Sequence, residues 1–106
     1  MPNFMHATAM AVMIGALAAT VAAADCAKTV EEARAAIKQA EAAVSQAKDS
    51  GKKAAAGPLG KAKKGLLHAD AECKGEKDVR KHAEATREAR EAQGYAEEAR
   101  MLAEKL

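Results

Sequence analysis

Residues 26–51 read CAKTVEEARAAIKQAEAAVSQAKDSG, and residues 59–73 read LGKAKKGLLHADAEC. In the first stretch Cys26, Val30, Ala33, Ile37, Ala40, Val44 and Ala47 follow one another at alternating intervals of four and three, and Leu59, Ala62, Leu66, Ala69 and Cys73 repeat that rhythm in the second. This spacing keeps one face of an α-helix on a packing seam. Folding the two segments antiparallel about Asp49-Ser50-Gly51 sets Cys26 against Cys73, Val30 against Ala69, Ala33 against Leu66, Ile37 against Ala62 and Ala40 against Leu59. Both seams then register while the cysteines close the open end, as a disulfide requires, since its Cα atoms must lie within about 7 Å. The expectation is an all-α fold, a small antiparallel bundle whose first two helices are stapled by a Cys26–Cys73 disulfide.

Between the two seams the reading stays open. Gly57-Pro58 resembles a helix start with proline at its first position, while Lys52 to Ala56 either extends the first helix or forms a turn of its own. After Cys73, Lys74-Gly75 breaks the chain and Glu76 is expected to begin a third helix. Ala85, Ala89, Ala92, Ala96, Ala99, Ala103 and Leu106 keep the four-three rhythm there, with Tyr95 and Leu102 thickening the same side. Gly94 is either carried inside one rod at a cost of about 1 kcal/mol or is a turn before a short fourth helix, so the bundle has three to four helices.

Upstream of the seams, residues 1–24 hold no Lys, Arg, Asp or Glu, and the run from Ala7 to Ala24 is built mainly from Ala, Met, Val, Ile and Leu. It ends in Ala22-Ala23-Ala24 before Asp25, a small-x-small pattern suited to signal peptidase. Residues 1–24 therefore read as a signal peptide and 25–106 as a single helical-bundle domain, periplasmic or secreted and without a membrane segment once the leader is removed. The alternative is an uncleaved anchor of about 18 residues, close to the lower limit for spanning. Lipidation of Cys26 is disfavoured by the Asp25 that precedes it.

The 17 Lys/Arg and 15 Asp/Glu all follow the leader with their signs mixed, giving a formal charge of +2. A nucleic-acid binder clusters its basic residues and usually adds stacking aromatics, but past the leader Tyr95 is the sole aromatic. Nucleic acid is not an expected partner. Lys52, Lys53, Lys61, Lys63 and Lys64 read as a solvated face. A short domain whose apolar stock is mostly alanine buries a thin core and needs a staple. Closing the Cys26–Cys73 loop contributes about 4 kcal/mol in the chain-entropy model.

No phosphate-cradling loop, nucleophile elbow, His-Glu-x-x-His or Cys-x-x-Cys is present in the sequence, so an enzyme is not expected. Two pairs carry the remaining chemistry: His68 with Glu72 and Asp78 with His82, each four residues apart and hence on one helical face. An imidazole and a carboxylate at that spacing hold a divalent metal when two helices converge and pool their ligands. The plainer reading makes both histidines ordinary members of charged helices.

Lys81-His82-Ala83-Glu84-Ala85, Leu67-His68-Ala69, and Gly94-Tyr95-Ala96-Glu97-Glu98-Ala99 followed by Leu102-Ala103-Glu104 are similar in spacing to the periplasmic small metal-binding protein family of bacteria. The resemblance covers most of residues 28–106. It implies a signal peptide, an alanine-rich helical bundle and binding of Cu, Ni or Zn through repeated histidines. Where that family places His, this chain carries Gln39, Gln46, Lys63, Arg87 or Arg90, so the resemblance implies low capacity, centred on His68 and His82. The sequence thus points to a non-catalytic envelope module that requires no cofactor and meets a second copy or another envelope protein. The alternative is a low-capacity divalent-metal binder.

Overall fold

The computed structural model describes the backbone of residues 2–75 and 78–106, and the side chains of 21–75 and 78–106. Its elements are α1 (Pro2–Gln46), α2 (Asp49–Gly75) and α3 (Val79–Lys105), with no strand among the described residues. Three helices pack together. Helix α3 runs unbroken through Gly94, so the region after Cys73 forms one helix from Val79 onwards. The Glu76 start lies outside the described residues, and α3 opens instead on an Asp78 cap. A helix interior tolerates one exposed glycine when its neighbours are held by packing, and Ala92 and Ala96 on either side of Gly94 are buried.

The break between α1 and α2 falls earlier than the sequence suggested. Helix α1 ends at Gln46, Ala47 donates its N–H back to the Val44 carbonyl (3.1 Å), and α2 starts at Asp49, whose carboxylate sits in the positive first turn of the helix. Gly51 is therefore helical. Its role is close approach: a Cβ there would lie 2.9 Å from the Ala103 carbonyl oxygen of α3. Gly57-Pro58 is likewise no helix start, because Pro58 lies inside α2. Proline in a helix interior costs about 3 kcal/mol through its missing N–H and the clash with the preceding turn. Burial of Gly51 and Ala55 before it, and of Ala62 after it, holds α2 continuous across that weak turn.

The seams form the core. Cys26, Val30, Ala33, Ile37 and Ala40 of α1, Ala55, Ala62 and Ala69 of α2, and Ala85, Ala89, Ala92, Ala96, Ala99 and Ala103 of α3 are all buried. Apart from Cys26 and Ala85 they divide into one cluster around Ile37, Ala62 and Ala99 and a second around Val30, Ala69 and Ala89. Leu59, Leu66 and Leu102 pack on their edges. Tyr95 and Leu106 do not join them: both are exposed, and the Lys61 Nζ lies 5.4 Å from the Tyr95 ring centroid.

Cys26 and Cys73 are bonded, with Cα atoms 5.8 Å apart, and no described cysteine is free. Helix α3 packs extensively on both α1 and α2, while α1 and α2 touch each other less. Polar ties between α1 and α2 are Arg34–Asp70 (3.6 Å) and Lys63–Glu41 (2.9 Å), and Arg100 of α3 donates to Gln39 of α1 (2.9 Å). Among the described residues no helix is long and apolar enough to cross a membrane.

Candidate functional site

Small side chains decide what meets what along α2 and α3. Ala69 and Ala89 are fully buried, and a Cβ added to Gly65 would come within 3.3 Å of the Ala92 Cβ. With so little bulk between them the two backbones run close, and polar residues flanking the seam reach across it. His68, beside Ala69, meets Glu88, beside Ala89: its Nδ1 lies 2.5 Å from Glu88 Oε2. Its Nε2 lies 3.5 Å from Glu72 Oε1, one turn further along α2. The imidazole is thus held between two carboxylates, one from each helix.

Exposure differs sharply within this group. The His68 side chain is 62 % exposed, whereas those of Glu72 and Glu88 are 21 % and 23 % exposed. Glu72 Oε2 is buried without a hydrogen-bond partner. One donor atom from each of the three residues can be chosen so that all lie within 4.8 Å of one another. The hydrogen bond to Glu88, then the negative charges of Glu88 and Glu72, raise the His68 pKa above 6.5, against small opposing effects of desolvation and Lys81.

Of the four residues the sequence singled out, His68 and Glu72 stand in this group and Asp78 and His82 do not. Asp78 caps α3: its backbone is extended (φ −76°, ψ 128°) and its side chain accepts from the Arg80 N–H at 2.9 Å. His82 is buried, with its carbonyl accepting from the Thr86 hydroxyl at 2.8 Å. It stands three residues before Ala85, at the first position of the α3 seam.

Sequence reasoning did not reach Glu88, because the cysteine pair sets the register of α1 against α2 and leaves that of α2 against α3 open. Pairing the seams of α2 and α3 in the way that those of α1 and α2 were paired, with Ala69 opposite Ala89, places Glu88 beside His68. Chemically the group can exchange a proton at an imidazole between two carboxylates, or hold a cation with one nitrogen and two oxygen donors.

Compared with protein-family models, with curated proteins and with solved structures, the chain matches none.

Proposed function

We propose that this chain is a non-catalytic helical-bundle module of an oxidising compartment, periplasmic or secreted once residues 1–24 have been removed, and that it meets a second copy or another envelope protein. The observation that carries this reading is the Cys26–Cys73 bond, because structural disulfides persist outside reducing cytosol. The polar ties support an antiparallel course for α1 and α2, since positions 26, 34 and 41 of α1 meet 73, 70 and 63 of α2 in descending order. Because α3 binds both helices while α1 and α2 touch less, a shallow groove of about 340 Å³ opens between those two. Ile37, Leu66 and Leu67 line it, Arg34, Lys38, Glu41 and Lys63 rim it, and Leu67 is 72 % exposed. An exposed leucine in a polar-rimmed apolar groove suits a protein contact.

The test has two parts. Protein recovered from the envelope should begin at Asp25 and show no titratable thiol; two free thiols would remove the oxidising compartment, and a retained leader would replace cleavage with an anchor. A photocrosslinker at position 67 should yield a discrete adduct, and one at the exposed Glu91 of α3 none. Equal crosslinking from both sites would remove the groove as the contact.

A second reading, divalent transition-metal binding, is favoured by one specific observation: the convergence of His68, Glu72 and Glu88 from two helices.

A further inference from the structure

Cys26–Cys73 ties α1 to α2, but among the described residues no covalent cross-link ties α3 to either. The group that joins α2 to α3 near the stapled end is His68, Glu72 and Glu88. We infer that this triad is a zinc-class inter-helix clamp, in which one His68 nitrogen and an oxygen each from Glu72 and Glu88 hold a single divalent ion and lock α3 onto α2. The inference rests on the metal-binding reading above and adds to it the third ligand, the class of ion and the structural consequence.

Donor chemistry sets the ion. One imidazole nitrogen with two carboxylate oxygens is a borderline N/O set of the kind that zinc accepts as three protein ligands, with water completing the sphere. An imidazole donor favours the later first-row ions over Mg²⁺ and Ca²⁺, which prefer all-oxygen sites. Charge agrees with donor type, since two carboxylates and a neutral imidazole balance a divalent ion. Glu72 reaches His68 through Oε1, while its Oε2 is buried without a hydrogen-bond partner, so the carboxylate enters the group with acceptor capacity to spare.

Geometry also requires a small rearrangement. The two ring nitrogens of His68 face different carboxylates, and one ion can take only one of them. The side chain is 62 % exposed, so turning the ring exchanges a carboxylate contact for solvent or the ion and displaces no packed neighbour. On binding, the ion replaces an N–H···carboxylate contact with an N–metal bond, and any proton on that nitrogen leaves to solvent. Neither α2 nor α3 holds all three donors, so occupancy requires their docking, and the ion stabilises the docked state by mass action. Asp78 and His82 contribute nothing to the clamp.

The test is calorimetric titration of Zn²⁺ into the oxidised, tag-free protein, with the melting temperature followed beside it. Wild type should bind one ion with micromolar or tighter affinity and melt higher. Glu88→Gln keeps the shape of a partly exposed side chain and should weaken binding by at least about tenfold and lose most of the melting shift, as should His68→Gln; Glu91→Gln should behave as wild type. Circular dichroism of each variant without metal checks that it folds. Absence of Zn²⁺ binding in wild type would end the metal reading and the clamp together. Binding that Glu88→Gln leaves intact while His68→Gln abolishes it would keep the metal reading and overturn the clamp, as would binding with no change in melting temperature.

Discussion

His68 shows how a seam of alanines turns a surface histidine into an inter-helix group. Its proton is favoured first by the Glu88 hydrogen bond and then by the charges of Glu88 and Glu72, with Lys81 opposing; these charges come from α2 and α3 alone. Because the folded-state pKa is raised, whatever stability the protonated ring contributes is complete below the unfolded value of about 6.5. It is lost as pH rises through the folded value. In metal-free protein, a proton NMR titration should place the His68 midpoint above that of an ordinary imidazole and return it towards 6.5 in Glu88→Gln. An unchanged midpoint in the variant would show that the carboxylate does not act on the ring. Sequence made the His68–Glu72 half of this group legible, because an interval of four fixes neighbours on a helix. Glu88 belongs to another helix, and only the inter-helix register brings it there.

At the scale of the element, the seams were legible and the breaks were not. Rhythm identified the buried faces of all three helices because a helix repeats every 3.6 residues whatever it packs against. Glycine and proline were the misleading residues. Gly51 looked like a turn and is a contact, Gly57-Pro58 looked like a start and is mid-helix, and all three depend on tertiary packing that local sequence does not record. The glycines of α2 accordingly divide into two kinds. An added Cβ at Gly60 meets nothing within 4 Å, whereas at Gly51 it meets the Ala103 carbonyl oxygen at 2.9 Å. Gly60→Ala should therefore stabilise by about 0.5–1 kcal/mol, through helix propensity and a less disordered unfolded chain. Gly51→Ala should destabilise by about 1–3 kcal/mol, because α3 must move away. Urea unfolding of both variants decides the point: if they shift the midpoint in the same direction, the close approach of α2 to α3 is not what places Gly51.

For the whole molecule, what matters is how little the core contains. Among the described side chains, the largest that is fully buried is Cys26, and most of the other buried apolar positions are alanine. At ~25 cal/mol per Å² a buried methyl yields far less than a buried leucine, so a bundle of this kind draws an unusual share of its stability from constraint. The Cys26–Cys73 bond closes a separation of 47 residues, which in the chain-entropy model is worth about 4 kcal/mol against a typical total of about 5–15 kcal/mol. Composition and cysteine spacing made this legible, since an alanine-rich short domain with a matched cysteine pair has few other routes to stability. The packing of α3 on both partners was not, because the paired seams of α1 and α2 leave the third helix unplaced. Cys26→Ala removes the loop constraint and also the sulfur that fills the end of the core. It should cost about 4 kcal/mol or somewhat more, and reduction of the wild-type protein should cost a little less because the sulfurs remain. Urea unfolding of wild type with and without reductant, beside Cys26→Ala, separates the two contributions. A midpoint that none of these changes shifts would mean that alanine packing alone holds the three helices together.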